Sequence, residues 1–286
     1  MSSPTATIAF FGATGGCTNA CLAHALKAGH HAVALARTPA KLTAQLLGQE
    51  GISQATLDAR LRIVQGDATD PEAVRETILL PPDDNNSSSS SSSSSNGPPR
   101  LVPTIVSGIG GTPSLQRNSL VPRFTLDNPT VTEDTTQALL AALRDIYARY
   151  PSLSSSSSSS RPLLTVISTT GLSKKPKPND VPLLFRPMYH TLLAVPHADK
   201  RRMETLLAQE SSRRLFRGVV VVRPSLLVGD HSVGTGKGWR TLRVGTEEKP
   251  AVGYTIARAD VGEWIFEEVV TRGGGRWVGQ KVTLTS

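Results

Sequence analysis

The chain has 286 residues, 38% apolar and 19% charged, a balance that suits a globular protein with a buried core and excludes a fibrous or wholly disordered one. Its apolar runs are far shorter than the roughly 18 residues that cross a bilayer, and the N-terminus leads directly into a strand-like run, so neither a membrane anchor nor a signal peptide is expected. The net charge of +8 is carried in short clusters without interleaved aromatics, "KKPK" at 174–177 and "KRR" at 200–202, which fits a phosphorylated small molecule better than nucleic acid.

Residues 7–11, "TIAFF", read as a buried strand, 18–28 as a helix and 31–36, "HAVALA", as a second strand, together one βαβ unit. A third strand, "LRIVQ" at 61–65, precedes a helix that Asp70 can cap and Pro71 can begin. A fourth strand, "LVPTIVSG", is expected at 101–108. A helix over 132–150 follows, with Ala138, Leu139, Ala142, Leu143 and Ile146 at helical spacing. Then come a fifth strand at 163–168, a helix from about 197 to 210, the apolar strand "GVVVVRP" at 218–224 and a last helix at 259–270. This alternation predicts an α/β fold, a Rossmann-like doubly wound parallel sheet, formed as one domain over 1–286. The Gly-rich stretch at about 225–258 is read as a small substrate-side cap. Serine tracts at about 83–99 and 152–161 are read as disordered insertions, because polyserine cannot bury enough apolar area to offset its chain entropy.

The first loop carries the chemistry. Pyrophosphate binding needs backbone amides aimed at the anion, no obstructing side chains and a helix N-terminus behind them. Gly12, Ala13, Thr14, Gly15, Gly16, Cys17 and Thr18 stand between strand and helix and offer all three. The usual third glycine is replaced by Thr18, small enough for helix–strand packing and able to help cap the helix. After the second strand stand Arg37 and Lys41, with no acid within ten residues of Arg37. A 2′-hydroxyl would call for Asp or Glu there, whereas a 2′-phosphate calls for a cation, so the expected cofactor is NADP(H). Asp67 and Ala68 would border the adenine, and Ser107 and Gly108 would let the cofactor pass closely. Cys17, Cys21 and His24 share a helical face, but Cys17 lies in the phosphate turn and no fourth ligand is evident, so no metal is expected. Two cysteines in such a chain also point to a reducing, cytoplasmic setting.

The segments "FFGATGGCTNACLAHALKAGHHAVALART", "RLRIVQGDATD", "LLTVISTTG", "DKRRMETLL", "VVVVRPSLLVGD" and "IARADVGEWI" resemble, in this order, an atypical short-chain dehydrogenase/reductase of the NmrA-like, flavin-reductase-like NAD(P)-binding kind, especially fungal ones. The resemblance implies NADP(H) use, with Pro224 and Leu226 of "RPSLL" at the cofactor, and a substrate pocket after the fifth and sixth strands. It also implies a Ser and a Tyr-x-x-x-Lys pair, whose Lys binds the nicotinamide ribose and lowers the Tyr pKa. Lys200 matches that lysine by position, but Pro196 stands where the tyrosine belongs. Ser168, with Thr169 and Thr170, is placed to polarise a carbonyl; Tyr189, His190 or His197 would replace the tyrosine. The expected activity is an NADPH-dependent reduction of a small apolar or aromatic carbonyl, quinone or flavin-type substrate, of the kind met in secondary metabolism. The chain would act as a monomer or homodimer without nucleic-acid or membrane partners. The alternative is a non-catalytic NADP(H) sensor of the NmrA-like type.

Overall fold

The computed structural model describes residues 6–82, 99–111, 113–116, 123–155, 160–173, 179–185 and 193–286. Strands β1 (Thr7–Phe11), β2 (His31–Ala36) and β3 (Leu61–Gln65) coincide with the apolar runs of the sequence. With β4 (Thr104–Ser107), β5 (Leu163–Ile167), β6 (Gly218–Pro224), β7 (Arg243–Thr246) and β8 (Lys281–Thr285) they form an eight-stranded sheet in the order β7-β8-β6-β5-β4-β1-β2-β3. Every neighbouring pair is parallel except β7 and β8. The order reverses between β1 and β4, so their carboxyl ends, registered as Phe11 opposite Ser107, form the switch point where such sheets bind ligands.

Helices cover both faces, which is why the strands read as almost continuously apolar. On one side, Ile8 and Phe10 of β1 pack with Leu22 and Leu26 of α1 (Gly16–Lys27), Leu42 and Leu46 of α2 (Pro39–Leu47) and, further along the chain, Val261 and Trp264. On the other, Ala9 and Phe11 pack with the apolar faces of three helices beyond the short α3 (Gln54–Arg60): α4 (Pro71–Ile78), α5 (Val131–Arg149) and α6 (Ala194–Ala208). Asp70 caps α4 as expected, accepting from Glu72 N at 3.0 Å. The last helix, α7 (Arg258–Trp264), widens into a π-helical segment, Ile265–Thr271. Gly262 makes its contact with α1 possible, since a Cβ there would lie 2.5 Å from Cys17 O and 2.6 Å from Ala20 Cβ. Among the described residues no helix is long and apolar enough to cross a membrane.

Several boundaries differ from expectation. The fourth strand is interrupted at Pro103, which has no N–H for a ladder: Arg100–Leu101 pairs antiparallel with Leu79–Leu80, and only Thr104–Ser107 enters the main sheet. Helix α1 starts two residues earlier than expected, at Gly16. Within 225–258, Leu226–Val228 and Thr255–Ala257 form their own parallel ladder, but Arg243–Thr246 joins the main sheet through β8 rather than a cap. The serine tract at about 83–99 falls outside the described residues apart from its last position. Within the second, expected at about 152–161, residues 152–155 belong to the helix Pro151–Ser155, with Ser154 Oγ donating to Pro151 O at 2.8 Å, and 156–159 lie outside the described residues.

One capping arrangement ties the fold to the site. Helix α5 has no capping side chain of its own, and its Thr132 and Glu133 amides donate instead to Asp199 of α6, at 3.0 Å each. Asp199 is 1% exposed, so this long-range cap locks α6, and the adjoining Lys200, against α5. Asp199→Ala orphans both amides and is expected to cost about 2 kcal/mol, read as a lower urea midpoint at unchanged slope.

Candidate cofactor and active site

The loop from β1 into α1 is shaped by its glycines. Gly12 sits at φ +74°, and a Cβ there would lie 2.9 Å from the backbone of Gly108, so loop and β4 end meet too closely for any side chain. Gly15 N donates to Gly12 O at 2.8 Å, closing the turn, and Gly15 caps α1 with no side-chain bond and no acid in the first turn. The first helical amides and the positive end of the helix therefore face the loop's open side. Thr18 does not act as the expected cap. Its hydroxyl is turned inward against Gly108, where a Cβ would come within 1.9 Å of Oγ1. The glycine missing at position 18 is thus compensated across the interface at position 108. Thr18 Oγ1 is buried without a hydrogen-bond partner among the described residues.

A buried amide pair, not singled out from the sequence, braces this loop. Asn19 Nδ2 donates to Ala13 O at 2.9 Å, and Gln49 Nε2 donates to Asn19 Oδ1 at 3.0 Å and to His231 O at 2.7 Å. Gln49 Oε1 in turn accepts from Val233 N at 3.0 Å, which joins the loop to the segment after β6. Gln45 Nε2 reaches Thr14 O at 3.4 Å.

Arg37 and Lys41 are exposed at the end of β2 and the start of α2. The surroundings of Arg37 are acid-free only along the chain; in space its charge reaches Asp67. The Asp67 carboxyl is held below its ordinary value by hydrogen bonds from Thr69 N and Oγ1, at 2.9 and 2.8 Å, with a further contribution from Arg37. Ala68 packs near Phe11, Ser107 and Ile109, lining a cleft at the sheet's carboxyl edge.

Lys200 crosses from α6 to the switch point, donating to Ile109 O at 2.8 Å and Ile167 O at 2.7 Å, and so bridges the ends of β4 and β5. Burial pushes its pKa down to about 8, against the opposing pull of Asp199, Glu204 and Cys17. Two of the three ammonium donors are used on the backbone, leaving one for a ligand. Pro196 lies one turn earlier, inside the first turn of α6, where its missing N–H costs nothing.

Ser168 is buried at the end of β5, but its hydroxyl donates to Glu204 Oε1 at 2.7 Å. With its one proton committed there, Ser168 is not free to polarise a carbonyl in the expected way. Glu204 also receives Arg223 Nε at 2.9 Å and Nη2 at 2.5 Å, and Arg223 Nη1 reaches Glu247 at 3.1 Å. Pro224 ends β6 and its carbonyl accepts from Thr170 N at 3.1 Å; Leu226 opens the small ladder beyond. His197 is buried in α6. Tyr189 and His190 lie outside the described residues. Cys17 and Cys21 are free buried thiols, and His24 stacks on Phe266 with centroids 5.8 Å apart.

No family model matches the chain. It is 58% identical over 288 residues to the oxidase pynE of Aspergillus niger, covering all of this chain and 99% of that one. To the reductase pytE of Aspergillus terreus it is 43% identical over 292 residues, covering both chains entirely. Among solved structures, a short-chain dehydrogenase/reductase of Veillonella parvula in complex with NADP has a TM-score of 0.62 at 12% identity, covering 98% of this chain and 94% of that one. The anaerobillin reductase ChuY of Escherichia coli O157:H7 has a TM-score of 0.54 at 15% identity, covering 97% and 96%. The solved structures share its fold, that of short-chain dehydrogenases/reductases, and the two fungal relatives match it in sequence along their whole length: the chain belongs to the fungal family of the oxidase pynE and the reductase pytE.

Proposed function

We propose that the chain is an NADPH-dependent reductase of a small apolar or aromatic carbonyl, quinone or flavin-type substrate in secondary metabolism. The observation that carries this reading is the convergence of an uncapped helix N-terminus, three side-chain-free loop positions and the Lys200 ammonium on one switch point. The residues present fit the cofactor: Gly12, Gly15 and Gly16 carry no side chains in the turn, and the N-terminus of α1 behind it has neither a capping side chain nor an acid in its first turn. Residues 12–18 would hold the diphosphate, Arg37 and Lys41 the 2′-phosphate, Asp67 and Ala68 the adenine, and Ser107 and Gly108 would let the cofactor backbone pass closely. Lys200 would hold the nicotinamide ribose, with Pro224 and Leu226 at the ring. NADPH bound in this way supplies the hydride.

The apolar lip formed by Leu183 and Leu184, 76% and 77% exposed, and by Phe185 packed edge-on against Tyr254 supports an apolar substrate. The proton would come from Tyr189, His190 or water, with the protein acting as a cytoplasmic monomer or homodimer. A second reading, a non-catalytic NADP(H) sensor, is favoured by Pro196 in the tyrosine position and by the engagement of Ser168 with Glu204.

Calorimetric titration of the purified chain tests the cofactor assignment. Arg37→Ala is expected to weaken NADPH by about tenfold to a hundredfold and NADH hardly at all, the size of a lost charge-assisted contact to phosphate. Equal losses refute the 2′-phosphate assignment. Oxidation of NADPH by quinones, flavins or aromatic ketones separates the two readings, since the sensor binds without turnover.

A further inference from the structure

A cation from far along the chain lies over the glycine loop. Arg258 is the first residue of α7, yet a Cβ built on Gly16 would fall 2.3 Å from Arg258 Cδ, 3.1 Å from its Cβ and 3.2 Å from its Cγ. The aliphatic stem therefore crosses the first turn of α1, and Gly16 is the residue that leaves room for it. The guanidinium donates from Nη1 to Gly229 O at 2.5 Å, a bond that uses one of its five N–H groups. Among the described residues no carboxylate pairs with it; Asp260, two positions on, is occupied by Gly238 N at 2.9 Å. Its charge also reaches the neighbouring Cys17, where it and Lys200 oppose the burial that pushes the thiol up to about 12.

The loop thus gathers an uncapped helix N-terminus and, across its first turn, an arginine with no carboxylate partner among the described residues, two features that call for negative charge. We propose that Arg258 is a second element of the diphosphate site, its guanidinium binding the cofactor's diphosphate alongside the amides at the start of α1. This rests on the reading of residues 12–18 as the dinucleotide loop. Because Arg258 directly follows the strand Thr255–Ala257, whose partner Leu226–Val228 leads into Gly229, the contact would also fasten the ladder beyond β6 to the bound cofactor.

The test is titration calorimetry of Arg258→Met, which keeps an unbranched apolar stem over Gly16 and removes the charge, against NADPH, NADH and adenosine 2′-monophosphate. NADPH and NADH are expected to weaken alike, by about tenfold, with a shallower salt dependence, while adenosine 2′-monophosphate, which has no diphosphate, binds as before. This profile is the reverse of the one expected for Arg37→Ala. Unchanged NADPH affinity overturns the proposal, as does an equal loss for adenosine 2′-monophosphate, which would mark a collapsed loop instead of a lost charge. If the variant does not fold, the wild-type chain decides: phenylglyoxal labelling mapped by mass spectrometry should find Arg258 protected by NADPH and by NADH but not by adenosine 2′-monophosphate, and equal labelling in all cases overturns it. A wild-type chain that binds neither dinucleotide fails at an earlier step, overturning the cofactor reading and this inference with it.

Discussion

Glu204→Gln is expected to destabilise the chain by about 3–5 kcal/mol, a large share of the roughly 5–15 kcal/mol that holds a typical domain folded. The reason is Arg223, 1% exposed at the end of β6, whose guanidinium is held bidentately along one edge by Glu204, itself 6% exposed. Burial alone would raise the Glu204 carboxyl. The hydrogen bonds and charge of Arg223, the Ser168 hydroxyl and Lys281, 3.3 Å away, outweigh it and hold the carboxyl below its ordinary value. For Arg223, burial pulls the other way and is outweighed by Glu204 and Glu247, which carry it above its ordinary value. Neutralising Glu204 leaves that guanidinium in the interior with the partly exposed Glu247 as its remaining ion-pair partner and Asp180 further off.

Removing both partners at once, as Glu204→Leu with Arg223→Met, should recover most of the loss, because no uncompensated charge remains. Urea unfolding of the two single variants and the double variant measures the coupling. The sign with pH follows from the same pair. A carboxyl depressed in the folded state contributes stability above its unfolded value that fades as pH falls through the folded one. Acid unfolding of the wild type should therefore be steeper than that of the double variant.

Elements whose stability is local were the legible ones. β1, β2 and β6 announce themselves as apolar runs because both their faces are buried, the edge strand β3 by its apolar Leu61, Ile63 and Val64, and Asp70–Pro71 marks a helix start because cap and first turn are adjacent in sequence. β7 and β8 are not legible in sequence: "RVGT" and "KVTLT" are short and part-polar, and they become strands by pairing in tertiary structure, β8 with β6 and β7 with β8. The interruption at Pro103 was in principle readable, since a ladder cannot use a residue without an N–H.

In the site, the glycine turn could be read directly, but the partner of each group could not. Gly108 makes room for Thr18, Gln49 braces Asn19, and Arg258 covers Gly16 across separations of 30 residues or more. Arg223 did carry a signal. A charged residue closing the run "GVVVVRP" must find an opposite charge if that strand is central, and Glu204, one helical turn after Lys200 on α6, is where it does so.

Lys200→Met should lower kcat/KM with NADPH and a quinone or aromatic ketone by about a hundredfold or more, in the range of a lost positioning and acid–base contact. The ammonium spans Ile109 O and Ile167 O, so the loss removes the brace between two strand ends at the switch point and, on the proposed reading, the donor to the nicotinamide ribose. The pH profile gives the sharper test. Burial holds Lys200 near 8 in the folded chain, so the wild type should keep its affinity for NADPH below that pH and lose it as pH rises through about 8. Lys200→Arg, whose guanidinium does not titrate in this range, should abolish that alkaline limb even if its fork fits the two carbonyls less well. Stability moves in the opposite direction. With a folded value of about 8 against an ordinary 10.5, the unfolded chain holds the extra proton between these limits, so this group makes the fold more stable as pH rises across that window. Lys200→Met should remove that rise, so binding and stability measured on the same wild-type and variant samples from pH 7 to 10.5 should change with opposite signs, as expected of a single buried ammonium.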